Sequence, residues 1–276
     1  MLFSVAAFLL MAGSDGVILR PVANMYSKPT EDADVVSQAI YGAPVSIVEQ
    51  QSGWLRIRTA DDYLGWVPAA AVKPGAYANS QRAVMVESLM AHLYRTPSVT
   101  KHAPLLTVPY ETRLEVVSEP QDDNRRWIQV RLPDDRAAYV QRGDVTFDVK
   151  TLAVPEMIAL AKRFLGLPYT WGGTSSFGYD CSGYTQMLCR RMGKQLPRDA
   201  GPQAHWSGVL TITKEELAPG DLLYFGPSEK RITHTGMYIG DGEFIHASTN
   251  TNPVVQISRL ADEHWTKILV GCRRLK

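Results

Sequence analysis

The stretch YTWGGTSSFGYDCSGY, residues 169–184, holds four glycines, five aromatic rings and one cysteine, Cys181, preceded by Asp180. The residues after Asp180 read as a helix over 181–192. Asp180 suits its cap, Tyr184, Leu188 and Met192 recur at core spacing, and Gly193 is a stop signal. Cys181 then falls in the first helical turn, where unpaired backbone N–H groups and the positive end of the helix dipole favour thiolate over thiol. Gly172, Gly173, Gly178 and Gly183 would let backbone approach a substrate closely, and Tyr169, Trp171, Phe177 and Tyr179 could line a groove. A lone cysteine near a helix start is more often a small buried hydrophobe, so the catalytic reading depends on its partners.

Around this stretch the pattern is mixed. PEMIALAKRFLG (155–166) opens with proline, stops at Gly166 and carries Ile158, Ala161, Phe164 and Leu165 on one face, which predicts an amphipathic helix. From Asp221 onward come strand-like runs, DLLYF, TGMYIG, EFIHAS, VVQIS and ILVGCRRL. Two helices followed by antiparallel strands make an α+β domain over 152–276.

Upstream the chain repeats itself. MYSKP (25–29) recurs as LYRTP (93–97), WLRIR (54–58) as WIQVR (127–131), and YLGWVPAAAV (63–72) as RAAYVQRGDV (136–145). Matching order and spacing mark an internal duplication. Short runs of valine, isoleucine, tryptophan and tyrosine broken by turn clusters read as two small all-β barrels, over 17–75 and 80–148. The fold class is therefore multidomain, two small all-β barrels followed by an α+β domain.

Composition narrows the function. With 29 lysines and arginines against 28 acids the chain has no basic surplus, so nucleic acid is not an expected partner. Three cysteines, Cys181, Cys189 and Cys272, are too few for a disulfide framework, and Cys189 and Cys272 read as inert packing residues. Residues 1–14, MLFSVAAFLLMAGS, resemble a signal peptide in length and small-residue ending but have no lysine or arginine ahead of the apolar run, so envelope and cytoplasm both stay open. The run is too short for a stable membrane span.

The partners come from HTGMYIGDGEFIHAS, in which His234 begins one strand and His246 lies late on the next. A two-residue turn of Asp241 and Gly242 would set Met237 opposite His246 and send His234 to the other face. A three-residue loop of Gly240, Asp241 and Gly242 instead sets Gly236 opposite His246 and leaves both imidazoles on one face. The catalytic reading expects the second arrangement, with Cys181 as nucleophile, His234 as base and His246 orienting it. A zinc site built from the same three residues would lack a visible fourth ligand.

At this point a resemblance becomes specific. PYTWGGTSSFGYDCSGY, LPRDAGPQ (196–203), LAPGDLLYF (217–225), HTGMYIG and FIHAS occur in the order typical of NlpC/p60 cell-wall cysteine peptidases, and the Trp and Gly-Trp-Val pattern upstream resembles bacterial SH3-like domains. The resemblance implies a papain-like fold for 152–276, two SH3-like domains before it, and cleavage of peptidoglycan stem peptides. Two SH3-like domains ahead of such a catalytic domain look like the γ-D-glutamyl-L-diamino acid endopeptidases, which release L-Ala-γ-D-Glu from peptides with a free N-terminal L-alanine. The resemblance implies that Tyr169 acts near the oxyanion, that Asp180, Ser182, Arg198 and Asp199 line the substrate cleft, and that Tyr63, Asp199 and Asp34 hold the substrate ammonium. Arg136 occupies the place of Tyr63 in the second repeat, so the barrel itself does not demand the tyrosine, although a turn tyrosine covering a core edge is the plainer reading. A peptide substrate, a monomer and no cofactor are expected. Two other classes fit parts of the pattern: a peptidoglycan-binding protein with an inactive third domain, and a related amidase or transpeptidase.

Overall fold

The duplication read from WLRIR and WIQVR is carried in the backbone. A computed structural model describes residues 9–75, 77, 82–120 and 125–276, and divides the chain into two units, residues 1–149 and 150–276. In the first unit, β1 (Leu9–Ile18), β2 (Val22–Tyr26), β3 (Val35–Ile40), β4 (Pro44–Gln51), β5 (Trp54–Arg58), β6 (Leu64–Pro68) and β7 (Val72–Pro74) form a sheet of order β3-β2-β6-β5-β4-β1-β7. The second repeat has β8 (Ala83–Val86), β9 (Met90–Leu93), β10 (Leu106–Pro109), β11 (Arg113–Ser118), β12 (Trp127–Arg131), β13 (Ala137–Gln141) and β14 (Val145–Thr146). Its order is β13-β12-β11-β8-β14, and a bridge between Tyr94 and Tyr139 attaches the β9–β10 pair to β13. Neighbour for neighbour this is the first sheet again. The signal-like reading of residues 1–14 falls largely on residues 1–8, which lie outside the described residues.

Equivalent turns use equivalent bonds. The Thr59 N–H donates to the Tyr63 carbonyl at 3.0 Å and the Leu132 N–H to the Arg136 carbonyl at 2.8 Å. Asp62 and Asp135 take positive φ, 62° and 68°, at matching places in these turns. The repeated Tyr-Trp pair also recurs edge to face, Tyr26 on Trp54 at 5.6 Å and Tyr94 on Trp127 at 5.3 Å. Each repeat buries its own aliphatic core, and Tyr41 of the first belongs to the core of the second.

The second unit contains α1 (Val154–Lys162), β15 (Thr174–Ser175), β16 (Gly178–Tyr179), α2 (Cys181–Arg191), α3 (Ala200–Ala204), β17 (Val209–Ile212), β18 (Leu222–Phe225), β19 (His234–Gly240), β20 (Glu243–Ser248), β21 (Val254–Arg259), α4 (Glu263–Ile268) and β22 (Leu269–Leu275). Its main sheet runs β17-β22-β18-β19-β20-β21, antiparallel throughout, and α2 packs on β19 and β20. Because that sheet covers one side of α2 and the loop before it covers the other, α2 is buried almost all round. Among the described residues no helix is long and apolar enough to cross a membrane.

Helix α1 departs from the expected face. Met157, Leu160, Ala161 and Phe164 are buried, Ile158 is half-buried and Leu165 is exposed. The helix stops at Lys162, so Phe164 reaches the core from a turn and the helical period no longer places Leu165. The carboxylate of Glu156 accepts from the Ala153 N–H at 2.9 Å and closes the helix start.

Candidate active site

Cys181 is the first residue of α2 and is 8% exposed. Asp180 caps the helix, its Oδ1 accepting from the Gly183 N–H at 2.7 Å. The loop before it lies directly on the helix end: a Cβ on Gly183 would come within 2.2 Å of the Gly173 carbonyl oxygen, and one on Gly173 within 2.4 Å of the Gly178 oxygen. These glycines therefore serve backbone-on-backbone packing, not an open approach for substrate. Of the four rings expected to line a groove, Tyr179 instead joins the core against Phe164 and Tyr184, while Trp171 is 71% exposed.

Burial pushes the Cys181 thiol up to about 12, with the Asp180 charge adding to it; the backbone N–H groups of Thr235 and Ser182 and the charge of Arg198 act the other way. Thr235 is the chain neighbour of His234, so the thiol sits against the start of β19. His234 Nε2 lies 2.7 Å from His246 Nδ1, and His246 Nε2 lies 3.0 Å from Ser258 Oγ. Burial drives both imidazoles down, His234 to about 3 with His264 contributing, and His246 well below the ordinary range. A thiol and a neutral imidazole are thus the resting forms. With Nε2 committed to His246, Nδ1 is the His234 nitrogen left for proton transfer.

The hairpin that unites the histidines reaches the expected register by another route. Met237 pairs with Ile245 and Tyr238 with Phe244, then the ladder shifts before Gly240 pairs with Glu243. The turn itself is the two-residue Asp241–Gly242, with φ of 52° and 73°, the left-handed conformation of a type I′ turn. A bulge at Ile239 restores the parity that such a turn alone would lose. Gly236 faces His246, where a Cβ would lie 3.0 Å from the histidine's own Cβ.

Tyr169 is fixed by the chain leading into β21, its N–H donating to the Pro253 carbonyl at 2.7 Å. Burial raises its phenol, and the Cys181 charge raises it further. Asp180, Ser182 and Arg198 form one buried network: Arg198 bonds Asp180 at 2.5 and 3.1 Å and Ser182 Oγ at 2.8 Å. Asp199 is exposed at the N-terminal cap of α3. In the other unit Tyr63 packs on the core edge of the first repeat, and Asp34 is exposed ahead of β3, its carbonyl accepting from the Ser27 N–H at 2.9 Å. Sequence reasoning missed Ser258 and Trp265, whose ring stacks on His234 at 5.2 Å and 27°. The Trp in EHWTKI gave no period to read, since α4 is only 6 residues long.

Two family models match the chain. The NlpC/P60 family model covers residues 166–274, and the bacterial dipeptidyl-peptidase Sh3 domain model covers 25–72. The protein is accordingly a peptidase, with an SH3-like N-terminal domain and an NlpC/P60 catalytic domain. It is 36% identical to a gamma-D-glutamyl-L-lysine dipeptidyl-peptidase of Bacillus cereus over 86% of this chain and 74% of that one. A dipeptidyl-peptidase 6 of Lysinibacillus sphaericus is 27% identical over 91% and 93% of the two chains. The crystal structure of an NlpC/P60 family protein from Bacillus cereus superposes with a TM-score of 0.81 at 29% identity, covering 95% of this chain and 99% of that one. The chain belongs to the NlpC/P60 family.

Proposed function

We propose that the protein hydrolyses the γ-D-glutamyl-L-diamino acid bond of peptidoglycan stem peptides that carry a free N-terminal L-alanine, releasing L-Ala-γ-D-Glu. The observation that carries the chemistry is the 2.7 Å contact between His234 Nε2 and His246 Nδ1, on a strand whose next N–H points at Cys181. Cys181 Sγ attacks the γ-carbonyl as its proton passes to His234 Nδ1. The developing oxyanion takes hydrogen bonds from the Cys181 N–H and the Tyr169 hydroxyl. His234 then protonates the leaving amine, and water, activated by the same imidazole, cleaves the thioester. His246 holds His234 in one tautomer, with Ser258 accepting from His246 Nε2. The substrate class follows the similarity to peptidases named for the γ-D-glutamyl-L-lysine bond; lysine is the first diamino acid to test, diaminopimelate the second.

The second β repeat is read as another SH3-like domain, on its matching strand order, with residues 17–75, 80–148 and 152–276 as the three domains of a monomer. Asp199 is assigned to the substrate ammonium, because a carboxylate that rewards a free α-ammonium would be left unpaired by an N-acylated stem, and the role that the resemblance implies for Tyr63 and Asp34 is put to substitution. Asp180, Ser182 and Arg198, so strongly bonded to one another, are assigned to shaping the cleft wall below Cys181. Incubation with L-Ala-γ-D-Glu-L-Lys and its N-acetylated form tests the reading by chromatography of the products. Release of L-Ala-γ-D-Glu from the free peptide alone is expected; equal cleavage of both forms defeats the ammonium assignment, and no cleavage of either defeats the substrate.

A further inference from the structure

Among the described residues neither His234 nor His246 forms an ion pair with a carboxylate. The titratable groups placed against His234 are His246 from β20 and His264 from α4, while Cys181 at the start of α2 accepts from the N–H of Thr235, the chain neighbour of His234. Around the imidazoles are rings: Trp265 stacks on His234 at 5.2 Å and 27° and meets His246 edge-on at 4.9 Å and 85°, and Phe225 and Phe244 complete the box. Trp265 is 3% exposed, so the pair is shut off from water on that side.

We infer that the indole face of Trp265 stabilises the His234 imidazolium formed when Cys181 gives up its proton, in the role a carboxylate plays in other nucleophile and base sets. The inference rests on the reading of Cys181 and His234 as nucleophile and base. In that step the Sγ–H bond breaks and an Nδ1–H bond forms, while Nε2–H keeps its bond to His246; charge separates, and nothing else changes. A cation over an indole within about 6 Å of the ring centroid is attracted by the ring quadrupole, and more strongly where water is excluded. The stacked geometry meets that condition for His234, and His246 remains the neutral acceptor of the His234 Nε2–H.

Packing alone would also place a tryptophan beside Phe225 and Phe244, so the test must change charge without changing shape. Mono-, di- and trifluorotryptophan, incorporated at position 265 alone, withdraw π charge stepwise and leave the ring's size almost unaltered. The rate of Cys181 alkylation by iodoacetamide, in which the thiolate displaces iodide, is read by mass spectrometry with His234→Ala as a control. The expected result is a graded fall across the series, reaching about threefold to thirtyfold for the trifluoro ring, with an unchanged unfolding midpoint. A flat series alongside a large His234→Ala effect overturns the indole's role and leaves the nucleophile and base intact. No alkylation of the wild type at Cys181, or no effect of His234→Ala, overturns the pair itself and the inference with it.

Discussion

In residues 9–149 ion pairs such as Arg136 with Asp134 at 2.7 Å and Lys73 with Asp135 at 2.6 Å lie toward the surface, over cores of aliphatic side chains. In residues 150–276 polar groups are taken inside and chained together, Arg198 to Asp180 and Ser182 below the thiol, and His234 to His246 and Ser258 beside it. Surface pairs contribute at most about 1 kcal/mol each, while a buried charge deprived of its partner costs several times more. The contrast teaches where chemistry and stability are coupled: in the second unit Asp180 both caps the helix that carries Cys181 and holds the buried charge of Arg198.

The contrast can be broken at its strongest point first. Cys181→Ala should lower turnover of the free peptide by about 10⁴-fold or more with little change in the unfolding midpoint, since thiol and methyl differ little in volume. Residual activity near wild type would remove Cys181 from the reaction. Arg198→Met should then cost about 3–5 kcal/mol in urea unfolding of the protein, because it strands the Asp180 carboxylate under the helix end. A cost below 1 kcal/mol, roughly the value of a surface pair, would erase the distinction between the units.

The pH dependence is a finer probe. His234, lowered to about 3, stays neutral and able to accept a proton far below the ordinary imidazole range. An ordinary imidazole of pKa about 6.5 would lose roughly thirtyfold of its basic form by pH 5; kcat/KM here should be nearly flat from pH 7 to 5. A bend near 6.5 would show that the imidazole is solvated in the working enzyme. Smallest are the matched turns of the repeats. If Tyr63 has the role that the resemblance implies, Tyr63→Phe should reduce kcat/KM for the free peptide about tenfold, the worth of one hydrogen bond to a charged group, and Arg136→Ala, at the equivalent place, should leave it unchanged. Equal effects of the two substitutions would mean that the turn matters and the tyrosine does not.

Much of the β architecture was legible because its signals are local: paired tryptophans, turn clusters and a repeated order need no knowledge of distant residues. Helix α2 was legible for the same reason, with Asp180 at its cap and Gly193, φ 76°, at its end. The network of Asp180 and Arg198 was not, since the two are 18 residues apart and nothing in either neighbourhood names the other. Gly173 and Gly183 were visible as glycines, but what they make room for is another stretch of backbone, which has no sequence signature. Strand β17 hid for a different reason, as VLTI is a short edge strand with Leu210 half in water. Ser258 is an ordinary strand residue until β21 is laid beside β20, where Phe244 is its register partner and the ring of His246 leans toward it.

The bulge at Ile239 has a consequence for finding such pairs in other chains. His234 and His246 are 12 residues apart, an even separation that a bare two-residue turn would split between the two faces of the sheet. One stored residue brings them back together. A chain with one residue fewer between its histidines and no bulge would present the same two rings to the same thiol. Histidine spacing by itself is therefore an unreliable search term; spacing and turn length, counted together as odd or even, are what a sequence must satisfy.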